Sequence, residues 1–284
     1  MLTAKTIKQA RKIIYGARQK NKTIGFVPTM GALHYGHLSL VRAARKSCDF
    51  VVVSIFVNPK QFGPREDFRK YPRALSRDER LLQKEKVDLI FYPSVGEMYP
   101  KDFSTYVEEM YLSKPLCGLI RPGHFRGVCT VVAKLFNIIE PDTAYFGQKD
   151  YQQACIIKRM VRDLNFAVDV KVLPTIREKD GLAMSSRNAY LNRQERRGAL
   201  VLFESIEFAK KLIKSGEKDA KKIISKMRKL IFSKKSAKID YIEIVDIRNL
   251  RAINRIGTKV LIVMAICIGK TKLIDNAIVG IKGK

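Results

Sequence analysis

Residues 24–37 read Ile-Gly-Phe-Val-Pro-Thr-Met-Gly-Ala-Leu-His-Tyr-Gly-His, and their order decides the fold. An apolar run, Ile24 to Val27, stops at Pro28, a turn carrying Gly31 follows, and Leu38 to Lys46 then has helical spacing. A strand that turns directly into a helix is the building block of a parallel α/β sheet. His34 and His37, two of the three histidines in the chain, fall on that turn. Free backbone N–H groups and the helix dipole favour an anion at such a place. Imidazoles there can donate to phosphate oxygens whose charge grows in a transition state. The competing reading is a pair of turn histidines with no task.

Outward from this unit the same alternation continues to about residue 175. Strands are expected at Thr23–Val27, Phe50–Val57, Val87–Tyr92, Thr143–Phe146 and Val168–Pro174, between helices at Thr3–Arg18, Leu38–Lys46, Leu75–Lys86, Val128–Ile139 and Tyr151–Leu164. The first helix is suggested by Ile7, Ala10, Ile13, Ile14 and Ala17 on one stripe of Met1–Lys20. Short β-branched runs between amphipathic helices imply a mainly parallel sheet covered on both faces. Ligands of such sheets lie beyond the carboxyl ends of the strands. The polar clusters obey that rule: His34 and His37 follow the first strand, Asn58-Pro-Lys-Gln61 the second, and Gly147-Gln-Lys-Asp150 a later one. After Thr175 a polar segment, Arg177 to Arg187, precedes helices at Arg193–Ser215 and Asp219–Ser233 and strands at Tyr241–Ile247, Lys259–Ile268 and Leu273–Val279. Helices followed by strands suggest a small α+β domain. The expected division is 1–175, the parallel-sheet domain, and 176–284, the smaller one.

Composition narrows the class. The chain of 284 residues is 46% apolar, enough for a sizeable core, and no apolar run approaches bilayer length. Without an apolar h-region at the N-terminus, a secretory signal is not expected. Five cysteines, odd in number and with no CxxC, point to reduced thiols and a cytoplasmic location. No Cys/His cluster suggests a structural zinc. The net charge of +28 raises nucleic acid as a partner, but the excess is spread over both halves: 29 basic and 16 acidic residues up to Thr175, 26 and 11 beyond. Its peak, Lys210–Lys238, interleaves 12 bases with Leu212, Ile213, Ile223, Ile224, Met227, Leu230 and Ile231, as a solvated helix face does. Neither a specific nucleic-acid partner nor a membrane is expected.

Four further clusters carry chemistry. Asn58 and Gln61 flank Pro59 after an apolar strand; carboxamides both donate and accept, which suits a small hydroxy acid, although turn chemistry alone also explains them. Gly147-Gln148-Lys149-Asp150, with Gln152 and Gln153, heads a helix. Asp150 could simply cap it, but Lys149 opposes the helix dipole, a cost that an anionic ligand would offset. Ala183-Met-Ser-Ser-Arg-Asn188 combines hydroxyls with a guanidinium that can hold polyphosphate; the rival idea, a serine nucleophile, has no histidine nearby in sequence as its base. Arg121-Pro-Gly-His124 is either a substrate-side loop or a structural turn.

Taken together, VPTMGALHYGH, VVVSIFVNPKQF with EDFRKYPR, RPGHFRGV with TVVAKLF, PDTAYFGQKDYQQ, IREKDGLAMSSRNAYL and the later YIEIVDI and LIDNAI make the chain resemble the pantoate–β-alanine ligases along nearly its whole length. HxGH alone would imply only the wider nucleotidyltransferase superfamily; its conjunction with NPxQF, GQKDxQQ and MSSRN is far more specific. The slight departures, Ile176 where valine is commoner, Cys129 where a small residue is usual and the heavy lysine load, alter no side chain that carries function, since Ile176 would offer backbone contacts only. The resemblance implies a Rossmann-like nucleotidyltransferase domain carrying ATP and pantoate sites, followed by a smaller α+β domain beginning with a phosphate loop. It implies ATP-dependent condensation of pantoate with β-alanine through a pantoyl-adenylate, releasing AMP and pyrophosphate, in a homodimer using Mg2+.

Carried over by position, Met30, Gly31, Ala32, Leu33, His34, Tyr35, Gly36 and His37 would line the ATP site, with Gly147, Gln148, Lys149 and Asp150, Ile176 at the adenine, and Met184, Ser185, Ser186 and Arg187 as the KMSKS-like loop. His37, His34 and Lys149 would be catalytic, His37 as proton donor or electrostatic stabiliser. Gln61 and Gln153 would bind pantoate, and Gln61 and Asn58 would serve β-alanine. No residue is assigned as a metal ligand, because Mg2+ on ATP keeps much of its water. The alternatives are another HxGH nucleotidyltransferase acting on a phosphorylated metabolite, which would lack the NPxQ and QQ amides, and a basic RNA-binding protein, for which no RNP-type motif is present.

Overall fold

A computed structural model of the chain describes residues 1–64 and 66–280, and all counts below are over those residues. They form two compact units, Met1–Lys114 with Arg121–Pro174, and Pro115–Ile120 with the chain from Thr175 onward.

The first unit contains β1 (Leu2–Ala4), α1 (Ile7–Arg18), β2 (Ile24–Thr29), α2 (Tyr35–Ser47), β3 (Phe50–Ile55), α3 (Leu75–Lys84), β4 (Leu89–Phe91) and α4 (Val95–Met98). After α5 (Cys117–Ile120), which groups with the second unit, follow α6 (His124–Ile139), β5 (Thr143–Gly147), α7 (Tyr151–Asp163) and β6 (Asp169–Leu173). The strands form one sheet in the order β1-β4-β3-β2-β5-β6, every pair parallel. Every residue of β3 is buried, and so is β2 apart from Pro28, as the uninterrupted apolar runs require of strands covered on both faces. From β2 the chain steps outward to β3 and β4, then crosses to β5 on the other side of β2. The two directions of winding part between β2 and β5, where an open α/β sheet leaves a crevice at its carboxyl edge. The carboxyl ends there are Thr29 and Gly147.

Two expectations for the first unit need correction. The N-terminal segment is not helical from Thr3: Leu2–Ala4 pairs with β4 as an edge strand, and α1 starts only after Thr6, whose side chain and that of Gln9 form a capping box. Ala4 is fully buried by that pairing, an arrangement a three-residue run cannot reveal by periodicity. At the central turn, α2 begins at Tyr35 rather than Leu38, so His34 is its N-cap and His37 lies within its first turn.

The second unit holds α8 (Arg193–Gly198), α9 (Leu200–Lys214), α10 (Ala220–Phe232), β7 (Ala237–Asp246), β8 (Val260–Ile268) and β9 (Thr271–Val279). The strands form an antiparallel β7-β8-β9 sheet. Ile206, Ala209 and Ile213 of α9 and Ile223, Met227 and Ile231 of α10 pack with Ile242, Ile244, Ile262 and Met264 into one core. Burying each of these isoleucine and methionine side chains contributes about 1.5–3 kcal/mol. The expected helix Arg193–Ser215 is divided at Ala199, directly after Gly198, the weakest helix former in the run.

Candidate active site

The turn between β2 and α2 is tied down by groups within the protein. Gly31 and Ala32 both take positive φ, 82° and 51°, and the second is costly for a residue with a Cβ. Three acceptors hold this conformation: Gly31 donates to Thr29 Oγ1 at 3.1 Å, and Ala32 and Leu33 donate to the two carboxylate oxygens of Asp78 at 2.8 and 2.9 Å. The sequence suggested that the N–H groups of this turn would meet an anion; instead those of residues 31–33 are already satisfied. Asp78 is 1% exposed, and its burial raises its pKa despite the two N–H groups. Sequence reading missed it. The available signal was a carboxylate on the apolar stripe of α3, in register with Leu75 and Leu82.

What the turn presents instead is imidazole. Gly36 N–H donates to His34 Nδ1 at 3.1 Å, and His34 N–H to His37 Nδ1 at 3.4 Å. Backbone N–H groups only donate, so both Nδ1 atoms accept and each neutral ring carries its proton on Nε2. The rings lie 4.0 Å apart between centroids. Burial, then the neighbouring His34 and Lys149, hold His37 well below its ordinary pKa. His37 is therefore a neutral donor in the protein alone.

At the end of β5, Gln148–Asp150 forms a 3-10 turn leading into α7. Lys149 Nζ lies 3.6 Å from Asp150 Oδ1 and close enough to His37 to depress its pKa. Asp150 occupies the N-cap position of α7, but its side chain makes no capping bond. The switch point thus gathers His34, His37 and Lys149 from two adjacent strands. Of the following glutamines, Gln152 is buried with its amide on Leu112 O at 2.8 Å, while Gln153 is only half-buried.

The Asn58–Gln61 turn follows β3. Asn58 is 1% exposed and its amide is fully engaged: Nδ2 donates to Gln61 Oε1 and Gly127 O, each at 3.0 Å, and Oδ1 accepts from Lys60 N–H at 3.2 Å and Tyr99 Oη at 2.8 Å. Every donor and acceptor of the Asn58 carboxamide is thus engaged within the protein. Gln61 Nε2 stands 3.3 Å from Met30 Sδ, which joins this turn to the end of β2. The third histidine belongs here too. His124 begins α6, 9% exposed, with Nδ1 2.8 Å from Gln61 O and Nε2 3.1 Å from Arg121 Nη1. Arg121 also forms a bidentate pair with Glu66 at 2.7 and 2.6 Å.

Ile176 and Met184–Arg187 lie in the second unit. Arg177 pairs with Ala183 in an isolated antiparallel bridge, and Met184 N–H donates to Ile176 O at 3.0 Å. Arg177 is held by the buried carboxylate of Asp275 at 2.7 and 2.9 Å. Gly181 has φ +100° and faces the Phe203 ring so closely that a Cβ would come within 2.1 Å of it. Ser185 caps the following 3-10 turn, accepting from Arg187 N–H at 3.3 Å.

A family model described as Pantoate-beta-alanine ligase matches residues 2–278. Pantothenate synthetases from Thermotoga neapolitana and Caldicellulosiruptor bescii are 58% and 51% identical to the chain, each aligning over 99% of it and 100% of their own length. Among solved structures, the pantothenate synthetase of Thermus thermophilus superposes with a TM-score of 0.93 at 44% identity, covering 98% of this chain and 99% of that one. A Francisella tularensis pantoate-beta-alanine ligase, described as complexed with beta-gamma ATP and beta-alanine, superposes at 0.81 with 36% identity over 98% of this chain and 97% of its own.

Proposed function

We propose that this chain, which belongs to the pantoate–β-alanine ligase family, activates pantoate as its adenylate at the switch point between β2 and β5. It is an ATP-dependent ligase that joins pantoate to β-alanine. The observation that carries the site assignment is the convergence of His34, His37 and Lys149 at the carboxyl ends of two neighbouring parallel strands.

The chemistry follows from what these groups offer. A pantoate carboxylate oxygen attacks the α-phosphorus of ATP, and the bond to the bridging oxygen breaks as pyrophosphate leaves. The β-alanine amine then attacks the acyl carbon of the mixed anhydride, and AMP departs with the amide formed. Phosphoryl transfer asks the protein for position and for charge stabilisation. The Nε2–H groups of His34 and His37 donate to phosphate oxygens, and Lys149 neutralises charge on the leaving side. An anion beside His37 raises its pKa again, so it strengthens as a donor when ATP arrives. Gln61 and Gln153 hold the hydroxyls and carboxylate of pantoate. Asn58 serves β-alanine by fixing Gln61 rather than by touching the substrate. Gly147 to Asp150 hold the ribose and phosphates, with Asp150 on the ribose; the family resemblance carries the backbone of Ile176 to the adenine and Met184 to Arg187 to the polyphosphate.

Mg2+ would neutralise phosphate charge. Such an ion, held by the phosphates, keeps much of its water, and no side chain is named as its ligand. A homodimer is proposed from family membership alone, and sedimentation of the purified chain tests it. A cytoplasmic location is supported by five free thiols, and no helix among the described residues is long and apolar enough to cross a membrane. The ligase reading is tested by incubating protein with ATP, Mg2+, pantoate and β-alanine. Pantothenate, AMP and pyrophosphate are expected in equal amounts; their absence in folded protein would refute it.

A further inference from the structure

Among the described polar groups outside the phosphate site, one buried histidine is engaged at both ring nitrogens in a way that fixes its proton. Gln61 O can only accept, so His124 Nδ1, 2.8 Å away, carries the hydrogen. Arg121 can only donate, so His124 Nε2, 3.1 Å from Nη1, is the lone-pair nitrogen. Arg121 is itself oriented by two bonds to Glu66, and its Nη2 reaches Gln61 O at 3.3 Å. The chain Glu66–Arg121–His124 therefore ends on the backbone of Gln61, and the side chain of Gln61 is one of those assigned to pantoate. The same turn is pressed against α6 one helical turn on from His124, where a Cβ on Gly127 would stand 2.2 Å from Lys60 O.

We infer that His124, locked as its Nδ1–H tautomer between Arg121 and the Gln61 carbonyl, is a positioning residue that sets the Gln61 side chain for pantoate. The inference rests on the placement of pantoate at Gln61 given above. A neutral ring is required, since a second proton on Nε2 would face the guanidinium. Burial and Arg121 accordingly push the pKa of His124 down to about 4, against weaker opposing effects of the Gln61 bond, Glu66 and Asp150. The tautomer is the reverse of that of His34 and His37, which the turn at α2 fixes as Nε2–H.

Two measurements test this. In the intact chain labelled with 15N-histidine, three imidazoles are observed. Two should carry the proton on Nε2; the third, absent from the His124→Asn variant, should carry it on Nδ1. A proton on Nε2 of His124 at neutral pH would overturn the proposal. In steady-state kinetics, His124→Ala should raise the KM for pantoate about tenfold, the effect of one lost hydrogen bond in a buried site. The KM for ATP should stay unchanged. His124→Asn, whose Nδ2 can stand where Nδ1 stood, should recover most of that loss, and His124→Gln should not. Equal rises in both KM values, or an asparagine variant as impaired as alanine, would mean that the histidine acts only as core. Gln61→Ala separates the two readings. If it leaves pantoate KM untouched, pantoate is not at Gln61 and both fall; if it raises pantoate KM while His124→Ala does not, the positioning role alone falls.

Discussion

Replacing His37 by alanine deletes a donor aimed at developing phosphate charge, and such deletions cost on the order of a hundredfold or more in kcat. The fold should persist, because residues 31–33 are held by Thr29 and Asp78 and the imidazole adds only one long bond, from His34 N–H at 3.4 Å; near wild-type kcat in H37A would remove His37 from the chemistry. Histidine also sets a pH dependence of stability. His124 has a folded pKa of about 4 against an ordinary 6.5, so between those values the unfolded chain binds a proton that the folded chain does not. Stability should fall as pH drops through that window, by up to about 3 kcal/mol for this group. Denaturant titrations at pH 7 and pH 4.5 should show a smaller difference in His124→Asn than in the unmodified chain; equal differences would contradict the assigned shift. At this scale the positions of His34, His37 and Lys149 just beyond their strands were legible in the sequence, because each follows directly on an apolar run. Asp78 and the saturation of Asn58 stayed hidden. Each depends on partners more than forty positions away, Ala32 and Leu33 for one and Tyr99 and Gly127 for the other.

Elements hold these residues by close approach. Gly127→Ala would drive a methyl into the Lys60 carbonyl and push the Asn58–Gln61 turn off α6. Overpacking of this kind costs about 1–3 kcal/mol, and pantoate KM should rise while ATP binding measured without pantoate stays intact; an unaltered pantoate KM would show that the turn tolerates displacement. In the second unit, Arg177→Ala leaves the Asp275 carboxylate, 1% exposed, without its cation. Loss of one partner from a buried pair costs about 3 kcal/mol at the lower end. Thermal unfolding should shift accordingly, and a shift within error would mean that the pair contributes nothing. Much of this level was readable in advance. Apolar runs such as Phe50–Ile55 and helices with a buried stripe such as α10 lie within a few residues of their expected bounds. The edge strand β1 was not readable, since three residues carry no period and gain their structure from β4.

For the molecule as a whole, the charge of +28 is expected to be a solvated surface. Lys211, Lys214, Lys221 and Lys229 lie exposed on α9 and α10, whose opposite faces fill the core of the second unit. Reversing these four to glutamate should weaken any salt-sensitive RNA binding and leave ligase turnover nearly unchanged. Loss of turnover in the folded variant would show that the basic face serves the reaction. The central claim, activation of pantoate as an adenylate, is tested most directly by isotope exchange without β-alanine. Labelled pyrophosphate should enter ATP only when pantoate is present, and the exchange should collapse in the His37→Ala variant. Release of ADP and inorganic phosphate, or exchange that ignores pantoate, would contradict it.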